Sequence, residues 1–341
     1  MTGDADPTGA LDDVEGYLLG EEPTLTRLDV AERSGVPIEV AEELWRLLGF
    51  PKHADDERAF TPADVDALRL THDLMELGIL SPDRMSALTR TWGRSFARLA
   101  EWQVGLLATV TAEAGDDPAE SVTRLADEVL PRVDELQSWV WRRHLAGAAN
   151  RMLAVGAAGE TAEMAVVFVD IVGYTSRSRT LSETELVQWL EAFESDAAQL
   201  AVEHGGRIIK NIGDEVLIVA DDPSAGADIA LELTRRGADD DDEFPPVRAG
   251  LAYGDVVNRL GDVFGPVVNI ASRLTSVARP GTVLVDEGAY RALSGRTDDE
   301  SDEDGADESS TAAYSFRRVR RLSVKGYSRL RAWALRPVSG S

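Results

Sequence analysis

The sequence predicts an α+β protein, with an all-helical first half and a ferredoxin-like second half of order β-α-β-β-α-β. Three observations predict it. Residues 1–150 carry helical periodicity and no alternating strand pattern. From Ala162 onward, short buried-strand runs alternate with amphipathic helices. After the first of those helices, RIIKNIGDEVLIVA reads as two strand runs about a short turn, a β-hairpin.

In the first half, LTRLDVAERSGVPIEVAEELWRLLGF reads as helix, a Ser-Gly-Val-Pro turn, then helix. Thr61-Pro62 places a cap before a proline at the first helical position and opens TPADVDALRLTHDLMELGIL. Further helical patterns follow in PDRMSALTRTWGRSFARLAEWQVGLLATVTAEA and SVTRLADEVLPRVDELQSWVWRRHLAGAANRML.

In the second half, AVVFVD is a short buried-strand run. A helix follows, opened by Ser182 and Glu185 as a capping box. Its Leu186, Trp189, Leu190, Phe193, Ala197 and Leu200 recur at helical spacing, so one face is apolar. It ends at Gly205-Gly206, and the hairpin comes next. A second helix near SAGADIALELTRR leads through a charged loop to a strand at VRAGLAYGDVV. A third helix begins near PVVNIASRLTSVA, and TVLVDEGAY reads as another strand. Residues 298–308 hold eight acidic residues and almost nothing apolar, so they read as a loop. AAYSFRRVRRLSVKGYSRLRAWAL then reads as a terminal strand pair. These shifts predict a helical domain over residues 1–150, a linker over 151–163 and a second domain over 164–338.

Composition bounds the function. The 341 residues suffice for two domains. No apolar run approaches the roughly 18 residues that span a bilayer, and the acidic N-terminus lacks a signal-peptide pattern. The expectation is a cytoplasmic protein. The absence of cysteine excludes disulfides, thiolate metal sites and cysteine nucleophiles. A net charge of −26 repels nucleic acid and anionic membrane. It also repels a nucleoside triphosphate, unless a local site supplies metal ions or placed cations. Lysine is scarce: of 35 basic residues only Lys52, Lys210 and Lys325 are lysines.

Candidate chemistry sits in the second half. Asp170 ends a buried strand beside Gly173 and Thr175. A carboxylate there suits a divalent metal, and amides opening a helix can face phosphate. Taken alone, an aspartate at a strand's end is usually just a turn residue. Asp214 lies 44 residues later in the hairpin turn, where Asp and Gly are common. Adjacent strands of a β-α-β-β unit would set the two carboxylates side by side, and such a pair repels itself unless a cation intervenes. In GDVFGPVVNIASRL, Asn269 and Arg273 are four apart and share a helical face. Arg273 there suits phosphate charge and Asn269 a sugar oxygen; a capped surface helix reads as well. Lys325, in SVKGYS, would meet a triphosphate as a point charge or serve as an exposed turn lysine.

FVDIVGYT, KNIGDE, GDVFGPVVNIASRL and VKGY, in this order, make residues 164–336 resemble the catalytic domain of class III nucleotidyl cyclases. The resemblance implies cyclisation of a nucleoside triphosphate to a 3′,5′-cyclic nucleotide and pyrophosphate. It implies that Asp170, Ile171 and Asp214 hold two Mg²⁺ or Mn²⁺ ions, one preparing the ribose 3′-hydroxyl and the other holding the triphosphate. Arg273 would stabilise transition-state charge and Asn269 would position the ribose. Lys325 would contact the triphosphate tail, and the backbone of Gly173, Tyr174 and Thr175 would cradle phosphates. Lys210 and Asp262 occupy the base-reading positions. A lysine donates to adenine N1 and a carboxylate accepts from the exocyclic amine, which implies ATP and cyclic AMP. The family's sites form at a dimer interface, so one chain carrying every element implies a homodimer with two shared active sites. Pro266 stands where many members have Asp after the glycine of GDVFG.

The first half resembles the autoinhibitory regulatory domain of mycobacterial pH-responsive adenylyl cyclases. That resemblance implies a small regulatory ligand, a proton or a fatty acid. Its helix-turn-helix is expected to serve as a packing unit rather than a DNA reader, because the second helix carries Glu39, Glu42 and Glu43 against Arg46. His53, His72 and His144 are candidate proton sensors, or ordinary helix and loop histidines. The alternatives to an adenylyl cyclase are a guanylyl or mixed-specificity cyclase and a non-catalytic, nucleotide-binding regulator of the same fold.

Overall fold

The structure is a computed structural model. It describes residues 16, 18–79, 81–114, 128–154, 161–239, 241–296, 308–319 and 330–338. The chain divides into two compact units, Met1–Gly156 and Ala157–Ser341.

In the first unit, α1 (Arg27–Ser34) starts at Thr26. The Thr26 hydroxyl accepts from the Asp29 amide while the Asp29 carboxylate takes the Thr26 N–H, a reciprocal capping box. Gly35 ends the helix in the left-handed region, at φ 76°. Helix α2 (Ile38–Leu48) follows and buries Ala41, Leu44 and Leu47. Its Glu42 and Glu43 are taken by Arg27 and Arg46. Helix α3 (Pro62–Glu76) opens on a second capping box, Thr61 with Asp64. Val30, Val36, Leu44, Phe60, Val65 and Leu68 close the core of the three helices. Two long helices follow, α4 (Pro82–Ala114) and α5 (Leu130–Ala154). No helix among the described residues is long and apolar enough to cross a membrane.

In the second unit, β1 (Thr161–Ile171) leads through a short turn of helix, α6 (Tyr174–Arg177), into α7 (Glu183–Glu203). The hairpin of β2 (Gly206–Ile212) and β3 (Glu215–Ala220) precedes α8 (Pro223–Arg236). Strands β4 (Val247–Arg259) and β5 (Asp262–Phe264) lead to α9 (Pro266–Val277). Then come β6 (Val283–Asp286), α10 (Glu287–Ser294), β7 (Glu308–Ser310), β8 (Tyr314–Arg318) and β9 (Ala332–Pro337).

The sheet runs β2-β3-β1-β4-β6-β9-β8-β7, with β5 beside β4. Its first four strands are each antiparallel to their neighbours and give the ferredoxin-like order. Strand β6 joins β4 in parallel, which demands a crossover, and α9 supplies it. Strand β1 is buried on both sides, so AVVFVD reads as a continuous apolar run. Its odd-numbered residues from Ala165 to Ile171 pack with α7, α8 and α10. Its even-numbered Met164, Val166 and Phe168 pack with α9. Asp170 continues the even set, so it stands on the α9 face.

One expectation is corrected. TVLVDEGAY is not strand throughout: β6 stops at Asp286, and GAY belongs to α10. The Asp286 carboxylate accepts from the Ala289 amide at 2.8 Å, capping the new helix, and this outweighs the extended reading. Lys325 lies outside the described residues, as do residues 298–307 of the acidic run and 155–160 of the expected linker.

Candidate active site

The end of β1 gathers charge. Asp170 is paired across the ladder with Glu215 on β3 and with Arg248 on β4. Its side chain is 14% exposed, and Arg248 Nε and Nη2 both reach its Oδ2, at 2.7 and 2.6 Å. The Ile171 N–H donates to the Asp214 carbonyl at 3.1 Å, which holds the β2–β3 turn against the end of β1. Gly213 makes that turn at φ 65°.

Burial pushes the Asp170 carboxyl above its ordinary range; Arg248 opposes the shift and Asp214 adds to it. Glu215 is pushed up to about 7, by burial first and then by Asp170 and Asp214. Three carboxylates therefore share one strand end, with one guanidinium among them. Neither Glu215 nor Arg248 was singled out from the sequence. The signal available was an arginine opening a buried strand, VRAGLAYG, and a second acid directly after Asp214.

This arrangement suits a hard divalent cation. Asp170 and Asp214 offer carboxylate oxygens, the donors Mg²⁺ and Mn²⁺ prefer, and a cation relieves their repulsion. No group of three His, Cys, Asp or Glu side chains able to hold a metal occurs among the described residues.

Gly173, at φ 77°, turns the chain from β1 into α6, and its carbonyl accepts from Ser176 and Arg177 at 3.0 and 3.1 Å. The Tyr174 ring stacks on Trp189 of α7, with centroids 6.2 Å apart. This anchors the Gly173–Thr175 loop to the helix layer.

Lys210 and Asp262 meet directly, Nζ to Oδ2 at 2.5 Å. The other Asp262 oxygen accepts from the Val263 amide at 2.8 Å. A β-bulge between Ile208 and Lys210 makes this pairing available. Residues two apart in a strand ordinarily share a face. Here Ile208 packs with the α7 side, whereas Lys210 pairs with Leu217, a residue of the α9 side.

Helix α9 is locked to the sheet. The Thr275 hydroxyl donates to the Phe168 carbonyl at 3.2 Å, and Arg248 Nη1 donates to the Ser276 carbonyl at 3.2 Å. Asn269 and Arg273 lie on the exposed side of this helix. No hydrogen bond or ion pair joins either side chain to Asp170, Asp214, Lys210 or Asp262 within one chain.

Residues 157–336 match the family described as the adenylate and guanylate cyclase catalytic domain. This is more than half of the chain, and the chain belongs to that family, the class III nucleotidyl cyclases. An adenylate cyclase of Streptomyces coelicolor is 41% identical over 278 residues, covering 80% of this chain and 72% of the relative. An adenylate cyclase of Glutamicibacter nicotianae is 38% identical, again over 80% of this chain and 72% of the relative. A pH-sensitive adenylate cyclase of Mycobacterium tuberculosis is 31% identical over 95% of this chain and 82% of its own length.

Proposed function

We infer that this chain is an adenylate cyclase, converting ATP to 3′,5′-cyclic AMP and pyrophosphate. The observation that carries the choice of base is the Lys210–Asp262 pair, 2.5 Å apart between β2 and β5 of a cyclase-family domain. One member donates and the other accepts, which complements adenine N1 and its exocyclic amine. Guanine presents the opposite pattern at that edge.

Asp170, Ile171 and Asp214 would hold the metal ions, two Mg²⁺ or Mn²⁺ per site. Bound there, the ions supply Lewis-acid chemistry that acidifies the ribose 3′-hydroxyl and offsets phosphate charge. Asn269 orients the ribose for in-line attack on the α-phosphate. Arg273 neutralises charge that grows on the phosphates in the transition state. Backbone amides of the Gly173–Thr175 loop face the phosphates, and Lys325 meets the triphosphate as a point charge. The partner of each site is a second copy of the chain. One protomer brings Asp170 and Asp214; the other brings Lys210, Asp262, Asn269 and Arg273. The exposure of Asn269 and Arg273 on α9 supports this division.

Residues 1–150 act as a regulatory domain that takes a small ligand, a proton or a fatty acid. The match to the M. tuberculosis relative supports this reading because it extends across both units.

The test is direct. Purified full-length protein with Mn²⁺ is incubated with ATP or with GTP, and products are identified by mass. Cyclic AMP from ATP, in clear excess over cyclic GMP from GTP, is expected. Equal products would remove the assigned base choice, and no cyclic product from either would remove the enzyme reading.

A further inference from the structure

Strands β9, β8 and β7 close the sheet at the end opposite the β2–β3 hairpin. Their alternation sorts charge onto one face. Tyr314 and Phe316 of β8, and Trp333 and Leu335 of β9, pack into the larger core with α8 and α10. Ser315 and Arg317 therefore stand on the other face. On β9 that face carries Ala332 and Ala334, which pack with Leu274 of α9, and then Arg336. Ser310 of β7 is opposite Ser315, and Ser315 is opposite Arg336. Arg317 is opposite Ala334 and so diagonal to Arg336, within reach of a shared ligand for two long side chains.

A cavity of about 370 Å³ opens on this face, bordered by Ser310, Ser315, Arg317, Ala334 and Arg336. Ala334 brings only a methyl group, so the space between the two arginines is not filled from the strand below. Neither guanidinium has a hydrogen bond or ion pair among the described residues. The Ser310 hydroxyl is likewise unbonded, and that of Ser315 reaches only the Arg336 carbonyl, at a long 3.4 Å. Elsewhere in the sheet, Arg207 and Arg248 are each taken by an aspartate. In a chain of net charge −26, two such arginines side by side leave donors to spare.

We propose that this cavity binds a phosphate-type oxyanion, at a site separate from the nucleotide site. Each guanidinium fork presents parallel N–H donors that match two oxygens of a tetrahedral dianion, and the serine hydroxyls add single donors. A planar carboxylate fills one fork and leaves the second unmatched. The site needs no metal ion, since the arginines bring the positive charge themselves. Strand β8 is four places from β1 in the sheet, which sets the cavity roughly 19 Å from the strand of Asp170 at about 4.8 Å per strand.

Binding of inorganic phosphate to the full-length protein is followed by its ³¹P linewidth, in EDTA and without nucleotide, for wild type, Arg317→Gln, Arg336→Gln, Ser310→Ala and Arg273→Gln. EDTA keeps phosphate from binding through a metal ion at Asp170 and Asp214. Wild type is expected to bind with a dissociation constant on the order of 1 mM at low ionic strength. Arg317→Gln and Arg336→Gln should each weaken binding about ten-fold and Ser310→Ala about three-fold, with unchanged circular dichroism spectra. Arg273→Gln should bind as wild type does, and acetate at matched ionic strength should not compete. No binding by wild type, or wild-type affinity in both arginine variants, overturns the proposal; should one of them not fold, the other decides. Loss of binding in Arg273→Gln alone would move the phosphate to the nucleotide site and overturns it as well. Equal competition by acetate overturns the assignment to a tetrahedral oxyanion. Binding that appears only when residues 298–307 are replaced by a Gly-Ser linker would give the arginines to the chain's own acidic run, which also overturns it.

Discussion

Asp286 holds two backbone amides on one carboxylate oxygen, from Ala289 at 2.8 Å and Tyr253 at 3.2 Å. It is 7% exposed. Burial raises its carboxyl from 3.8 to about 6, and the amides only partly oppose the shift. The folded-state value lies above the unfolded one. Its contribution to stability is therefore complete below about pH 4 and is lost as pH rises through about 6. At about 1.4 kcal/mol per unit, the loss is about 3 kcal/mol. Asp286→Asn keeps an acceptor for the cap and has no charge to bury. Urea unfolding of both proteins at pH 4.5 and pH 8 should show the variant gaining on the wild type as pH rises; a constant or shrinking difference contradicts this assignment. Residue roles were unevenly legible. Asp170, Asp214, Lys210 and Asp262 stand in short motifs that a reader of the chain can pick out. Arg248 and Glu215 do not, because their place beside Asp170 comes from cross-strand register. Register is a property of the paired ladder, which one strand's sequence does not contain.

At the scale of elements, α9 and β4 depend on each other through Gly250. A Cβ there would meet the Ala271 carbonyl oxygen at 2.4 Å and the Thr275 nitrogen at 2.5 Å. Both are helix backbone, so the helix must move rather than a side chain rotate. Gly250→Ala should cost about 1–3 kcal/mol of stability. It should also lower kcat, since the displaced helix carries Asn269 and Arg273. Thermal unfolding and initial rates on one preparation check both effects; a variant of wild-type stability and rate would show that α9 has slack at this contact. The elements themselves were largely readable. The capping boxes at Thr61 and Ser182, the hairpin around Gly213 and the apolar stripe of α7 follow from local rules of spacing and capping. Two features did not follow. The end of β6 depends on Asp286 turning its side chain to cap α10. The bulge at Ile209 moves Lys210 to the α9 side of the sheet, contrary to the strict alternation its sequence suggests.

The whole molecule raises a question of completeness. One chain contains the carboxylates, the Lys210–Asp262 pair proposed to read the base, and the helix with Asn269 and Arg273. Yet α9 exposes Asn269 and Arg273, while Thr275 and the Arg248–Ser276 contact bind it to β1, which carries Asp170, and to β4 beside it. A helix fixed in this way cannot roll over to serve its own carboxylates without breaking those contacts. A second copy, related by a two-fold axis, can present its α9 to them, and symmetry then generates two equivalent sites. Full-length Asp170→Ala and Arg273→Ala proteins should each be inactive. Mixed in equal amounts and allowed to exchange, half of the dimers pair one variant with the other. Each mixed dimer has one site with both defects and one with neither, so about a quarter of wild-type activity should return. Differently tagged variants allow the mixed dimers to be purified, and these should reach about half of wild-type activity. Mixed dimers that form and remain inactive would place all catalytic groups of a site within one chain. In that case α9 would have to leave the sheet during turnover, and the Thr275–Phe168 contact would be the first to break.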